Sequence, residues 1–367
     1  MFIFKIQVYF YLQFNRKDRC DLTLSNQLLH LPPPHVLMLQ ALHHRLPSHH
    51  PQYPYVKKKL QNELSGNFGE SKLLYPLSKF PVRNKSLPNV RLSLDKNYFQ
   101  LDYLIITRRF LLILESKYYS DDLIFDETVY QVIQKKEQGF RVFDDPVLQV
   151  EEQSFQLATW LENHGFLNLP IESFVVMTNA RTRLQINPTN LHHAEKVISL
   201  QRLPSLFREL IAKYNDDLLT NSDISFLENK IKISHQNYLP NILDRYQVSK
   251  DEIKKGVFCM NCGNLGMKMI HLRWQCPACN YRDPYAHENA LKDYFLLVDK
   301  SISNKEFRQF THLKARSTSR DILRRSAKGL IGNTSTSRHR LQYDYAKEFN
   351  YLLTLANIKE SNRLNAN

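Results

Sequence analysis

An α/β fold carrying two small appended modules is the architecture the sequence predicts, and three observations predict it. Two apolar, β-branched and aromatic runs, Phe99 to Thr107 and Phe110 to Lys117, stand on either side of Arg108-Arg109 and read as a hairpin, with a capped helix and a buried-looking strand after them. Four of the five cysteines fall in two close pairs, Cys259 with Cys262 and Cys276 with Cys279, while Cys20 stands alone. Two segments with a Ser/Thr-x-x-acid start lie in a strongly basic stretch toward the C-terminus.

The 367 residues allow one sizeable core plus small modules, because single cores rarely grow past ~250–300 residues. The pattern divides the chain into an N-terminal extension and linker (1–50), a main domain (51–235), a cysteine module (255–285) and a basic segment (299–345). Lys and Arg number 50 against 36 Asp and Glu, a formal +14, which favours a polyanionic partner, nucleic acid or an anionic membrane surface. No run approaches the ~18 apolar residues of a membrane span, so a spanning protein is excluded. Paired rather than dispersed cysteines suit a reducing compartment, and the expected location is the cytoplasm. The opening alternation of Phe2, Phe4, Ile6 and Val8 is strand-like and lacks the basic start and small-residue cleavage site of a signal peptide.

Residues 15–50, with Pro32-Pro33-Pro34 and the pairs His43-His44 and His49-His50, read as a solvated linker with some helix. From Tyr53 to Tyr75 the pattern is helical, broken by Gly66 and Gly69 and ended by Pro76. The hairpin comes next, then a polar excursion over 118–144. Asp145-Pro146 supplies an N-cap and a first-turn proline for a helix reaching about Asn163. Ile171 to Thr178 is a buried strand, and residues 191–235 complete the core with a short strand and two helices.

The chemistry is concentrated on the hairpin. With Arg108-Arg109 as a two-residue turn, Thr107 pairs with Phe110 and Asp102 faces Glu115 directly. Opposed carboxylates have Cβ atoms ~4.5–5.5 Å apart and repel unless something neutralises them, which a divalent cation does. Alternation puts Lys117 on the face of Glu115 and sends Ser116 to the other side. Two acids and a base on one face suit phosphodiester hydrolysis, with hard oxygen ligands for Mg²⁺ and a lysine that orients or deprotonates water. An ordinary cross-strand salt bridge at a sheet edge is the other arrangement the pattern allows.

Four short segments in order, Gly66-Asn67-Phe68-Gly69-Glu70, Gln100-Leu101-Asp102, Glu115-Ser116-Lys117 and Asp145-Pro146-Val147-Leu148-Gln149, resemble the motif series of the nuclease-related domain (NERD) family in the restriction-endonuclease-like PD-(D/E)XK superfamily. The resemblance covers about residues 60–180. It implies an αβββαβ core in which Glu70, Asp102 and Glu115 reach Mg²⁺ or Mn²⁺, Lys117 assists and Gln149 lines the site, and it implies a DNA substrate. Two departures are that Pro76 shortens the first helix and that Ser116 replaces a more usual apolar residue. Taken alone, Glu70 also fits a helix-end charge, and Gln149, Gln153 and Gln156 fit a solvated stripe.

Cys259, Cys262, Cys276 and Cys279 have the spacing of a closed, structural Zn²⁺ ribbon, with His271 on the surface between the knuckles. Lys300 to Arg340 holds eleven Lys/Arg and two acids, a net +9 of the chain's +14. Ser303 to Glu306 and Thr318 to Asp321 mark two helix starts, and Arg320, Arg324 and Lys328 share one stripe of the second helix. With the strand-like Arg338 to Tyr343 these resemble a winged helix-turn-helix, whose expected partner is DNA, contacted by Arg320, Arg324, Lys328, Arg338 and Arg340.

Overall fold

The structure is a computed structural model, and it describes residues 32–126, 128–186, 191–332 and 337–365. The N-terminal alternation and Cys20 lie outside the described residues. The described residues form two compact units, one running to Leu64 and resuming at Tyr238, and one of Ser65–Asn237.

The first unit opens with α1 (Pro34–Arg45) and most of α2 (Tyr53–Ser71). Pro34 starts α1, where a missing amide costs nothing, and Val36, Leu37, Met38, Leu39, Ala41 and Leu42 make a helix that is apolar all round. Such a helix is buried, and α1 is: this stretch is a core element, not the linker its prolines and histidines suggested. The boundaries between the two compact units fall at 64 and 237.

The second unit begins inside α2. Gly66 and Gly69 do not break that helix, and Pro76 does not end it: α2 stops at Ser71, and Pro76 sits in the first turn of α3 (Leu74–Ser78), where no amide partner is needed. Strands β1 (Lys85–Leu94), β2 (Asn97–Ile106) and β3 (Leu111–Lys117) are antiparallel. The expected polar excursion folds as β4 (Leu123–Asp126), β5 (Gln131–Lys135) and β6 (Phe140–Asp144), because Leu123, Phe125 and Val132 bury one face of an otherwise polar ribbon. After α4 (Pro146–Glu162) come β7 (Ile171–Met177), β8 (Leu184–Gln185), α5 (Leu191–Lys196), β9 (Val197–Ser199), α6 (Leu203–Lys213) and α7 (Asn221–Ser234).

The main sheet has the order β1-β2-β3-β7-β9, with β7 and β9 parallel to β3, and a second sheet has the order β6-β5-β4-β8. Pro88 is tolerated because β1 is an edge. Leu104, Ile106, Leu111 and Ile113 pack on one face beneath α4 and α7, while Tyr103, Ile105, Leu112 and Leu114 pack on the other against Leu206, Phe207 and Leu210 of α6. Helices on both faces explain why β2 and β3 read as nearly continuous apolar runs. This is the expected αβββαβ order of a restriction-endonuclease-like core, with β4 to β6 inserted before α4.

The first unit resumes with α8 (Ile242–Arg245), the ribbon strands β10 (Lys268–Ile270), β11 (Arg273–Gln275) and β12 (Arg282–Asp283), then α9 (His287–Leu297), β13 (Ser301–Ser303), α10 (Asn304–Thr311), α11 (Arg316–Ser326), β14 (Gly329–Ile331), β15 (Arg338–Arg340) and α12 (Asn350–Asn365). Helix, strand, helix, turn, helix and a hairpin, with a β13-β15-β14 sheet, is the winged-helix order. The Ser303–Glu306 capping box forms on both sides. The second expected box does not: α11 starts three residues earlier, from Ala315, and Ser319 is buried within it. Arg45 is fully buried in this unit's core, its Nε donating to Asp293 Oδ2 at 2.7 Å and its guanidinium lying 4.5 Å from the Phe310 ring centre. Among the described residues no helix is long and apolar enough to cross a membrane.

Candidate active site

The hairpin has the register its turn dictates. The Thr107 amide donates to the Phe110 carbonyl at 3.1 Å, Ile106 faces Leu111, and Tyr103 faces Leu114. The next position in that register sets Asp102 opposite Glu115, but the backbone ladder stops one step short. The Ser116 amide donates instead to Asp102 Oδ2, at 2.8 Å. Alternation from Leu104 and Ile113 puts both carboxylates on the sheet face that α4 covers.

Glu115 is 4 % exposed, and each of its oxygens is held. Oε1 accepts from Lys117 Nζ at 2.7 Å and from Gln149 Nε2 at 2.8 Å, and Oε2 accepts from Gln153 Nε2 at 2.9 Å. Lys117 also donates to Gln149 Oε1 at 2.9 Å, closing a ring of three side chains. The glutamine stripe therefore divides. Gln149 and Gln153, four apart and so on one face of α4, both reach Glu115, Gln153 buried and Gln149 exposed at the rim, while Gln156 pairs with Glu152 on the outside. Gln153 is buried rather than part of a solvated stripe, and the signal for it in the sequence is its i,i+4 spacing from Gln149. It also donates to the Gln100 carbonyl at 3.0 Å, and its Oε1 is buried with no hydrogen-bond partner.

The electrostatics mark an excess of negative charge. Burial pushes the Asp102 carboxyl well above the usual carboxylate range, and the charges of Glu115 and then Glu70 push it the same way, against Lys117 and the Ser116 amide. Glu70, at the end of α2, is thus within electrostatic reach of Asp102. Burial lowers the Lys117 ammonium, but Glu115 and Asp102 outweigh it and the net shift is upward. A lysine so held stays charged. Its place against both acids suits orienting and stabilising charge.

Two local devices place these groups. A Cβ at Gly69 would lie 2.6 Å from Tyr118 Cβ and 3.0 Å from Thr178 Oγ1, so only glycine lets α2 come this close to the strand ends that carry Lys117. Asp145 caps α4 by accepting from the Val147 amide at 2.8 Å, and its other oxygen lies 2.6 Å from His193 Nε2 with both side chains buried. That clamp fixes the start of the helix that delivers Gln149 and Gln153.

The donor set suits a hard divalent cation, since the acids are oxygen ligands whose mutual repulsion is unrelieved without positive charge. Among the described residues, however, only the cysteine tetrad brings three or more such donors within 4.8 Å of one another. Glu70, Asp102 and Glu115 therefore do not bring three carboxylate oxygens that close to one another.

In the other unit the four cysteines are free thiols with donor atoms within 4.8 Å. Cys259 Sγ and Cys279 Sγ lie 3.6 Å apart, as do Cys262 Sγ and Cys276 Sγ, close to the ~3.8 Å edge of a tetrahedron with Zn–S bonds of ~2.3 Å. Gly263, with φ +71°, follows the first knuckle, where its amide donates to the Cys259 carbonyl at 2.8 Å. His271 is exposed in the β10–β11 turn and is not a ligand. The tetrad is compatible with structural zinc.

Of the basic residues, Arg320, Arg324, Lys328 and Arg340 are exposed. Arg338 is engaged within the module: its Nε donates to Ser301 Oγ at 2.8 Å, and its guanidinium pairs with Glu306 at 2.9 Å. It ties β15 to α10 rather than presenting a free cation.

Residues 65–178 match the family model described as "Nuclease-related domain" (NERD), so this segment carries the domain that its motifs resembled. No curated protein and no solved structure matches the chain.

Proposed function

We propose that this chain is a metal-dependent DNA nuclease in which Asp102, Glu115, Lys117 and Gln149, with Glu70, form the cutting site. The observation that carries the reading is the held carboxylate: Glu115 is fixed by Lys117, Gln149 and Gln153 beside an Asp102 whose carboxyl is pushed well above the usual range by burial and two like charges. Asp102 and Glu115 would hold a divalent cation, which would supply positive charge to the phosphate and lower the pKa of water. Lys117 presents its charge toward the phosphate oxygens, Gln149 holds Lys117 and Glu115 in register, and the wall of α4 limits solvent. Water attacks phosphorus and the bond to one ester oxygen breaks; one water hydrogen ends on the released ester oxygen and the other stays on the new phosphate hydroxyl.

The basic winged-helix module supports DNA as the partner. Its exposed Arg320, Arg324, Lys328 and Arg340 suit phosphate contacts, and the zinc-type ribbon stabilises the same unit. Four free thiols favour a reducing, cytoplasmic setting. A second reading, a DNA-binding protein that retains the nuclease fold without turnover, is favoured by one observation: every oxygen of Glu115 already has a protein partner. Incubation of supercoiled plasmid with Mg²⁺ separates the two. The nuclease reading expects nicking or linearisation by the wild type and none by Glu115→Gln; binding without cleavage by the wild type leaves the second reading.

A further inference from the structure

Lys72 follows the last residue of α2 and is half-buried, yet among the described residues it has no carboxylate partner. Its Nζ donates to the Thr178 carbonyl at 3.2 Å and lies 4.9 Å from the Phe68 ring centre and 4.7 Å from that of Tyr118. The two rings meet edge to face, 5.4 Å apart at 85°, so the ammonium sits in a corner lined by aromatic surface and one carbonyl. That corner adjoins the site. Tyr118 succeeds Lys117, and the Thr178 amide and hydroxyl both donate to the Lys117 carbonyl, at 3.0 and 3.2 Å. Lys72 is two residues from Glu70, and Gly69 is what brings this turn onto Tyr118.

A charge held by neutral partners keeps its full attraction for an anion, and one carbonyl leaves two of three N–H donors for it. We propose that Lys72, seated against the Phe68 and Tyr118 rings, forms a phosphate subsite, taking the nucleic-acid backbone phosphate that neighbours the one attacked. This rests on the nuclease reading for the identity of the anion. The competing role is a strut that fastens α2 to the strand ends, which needs packing and the carbonyl bond but no ligand.

The test uses the full-length chain with Glu115→Gln, so that binding is read without cleavage, and a short fluorescent duplex titrated over a range of KCl concentrations. Each phosphate contact contributes about 0.9 to the slope of log affinity against log salt. Lys72→Met should lower the slope by about that amount, with Lys72→Arg retaining it; Lys72→Gln takes the place of Lys72→Met if that variant does not fold. An unchanged slope in the charge-removed variant overturns the subsite and leaves the strut. The two readings fail separately. A wild type that binds but never cuts, with a reduced slope on losing Lys72, removes the nuclease and keeps the subsite; a wild type that cuts, with an unchanged slope, removes the subsite alone.

Discussion

Gln153 Nε2 bridges Glu115 Oε2 and the Gln100 carbonyl, at 2.9 and 3.0 Å, so one buried amide on α4 fastens a carboxylate of β3 to the backbone of β2. Gln153→Leu keeps much of the volume and strands both acceptors. The expected loss is ~1–3 kcal/mol for leaving a buried group unsatisfied, measured by urea unfolding followed at Trp160, the tryptophan of this unit. A neutral result would show that water replaces the amide and that Glu115 needs no such anchor.

Gly69 and Gly66 lie one turn apart on α2 and should respond with opposite signs. A Cβ at Gly69 would press on Tyr118 and Thr178, and Gly69→Ala should cost ~1–3 kcal/mol and reduce cleavage by moving α2 off the strand ends. Nothing lies within 4 Å of a Cβ at Gly66, so Gly66→Ala should stabilise by ~0.5–1 kcal/mol through helix propensity. Thermal melting of the two variants reads both signs.

The hairpin was legible because its two-residue turn leaves one register, and that register alone sets Asp102 opposite Glu115. The capped start of α4 was legible for the same local reason, an Asp followed by Pro. Gln153 was not: polar residues at helical spacing look alike until a buried acid faces them. α1 was hidden by its composition, since Gln40, His44 and Arg45 are polar residues that this fold buries. Arg338 looked like a free cation because Glu306 and Ser301, its partners, are more than thirty residues away in sequence.

Arg45 and Asp293 form an ion pair with 0 % and 2 % of their side chains exposed, and Tyr351 Oη also donates to Asp293, at 2.6 Å. Asp293→Asn leaves a guanidinium buried without its counter-charge and should cost ~3–5 kcal/mol in the first unit. Circular dichroism during urea unfolding, compared with Arg45→Met/Asp293→Leu, checks this; the double variant should recover much of the loss.

Acid should weaken the same unit. Burial, and in second place Lys359, lowers His43 to about 4, and burial with Arg325 lowers His287 to about 4, both against an ordinary 6.5. The folded state binds these protons less well than the unfolded one, so the stability the neutral rings give is complete above about pH 6.5 and is lost as pH falls toward 4. His287 Nδ1 lies 3.1 Å from the Trp274 indole nitrogen that donates to it, which makes Trp274 fluorescence in a Trp160→Phe background a direct reporter. His43→Gln should flatten the decline between pH 6.5 and 5; an unaltered slope would assign it elsewhere.

The measurement that bears most directly on the proposed metal site is the melting temperature of wild type and Asp102→Asn, each with and without Mg²⁺. The buffers are freed of divalent ions without a chelator that would strip the cysteine tetrad. Asp102 has its folded pKa raised, so its ionisation destabilises the metal-free fold increasingly as pH rises above about 4. The account predicts that metal-free Asp102→Asn melts at or above the wild type at neutral pH, and that Mg²⁺ raises the wild type but not the variant. A metal-free Asp102→Asn that melts several degrees below a wild type indifferent to Mg²⁺ would contradict it, and would leave the hairpin acids as structural partners of Lys117 and the Ser116 amide.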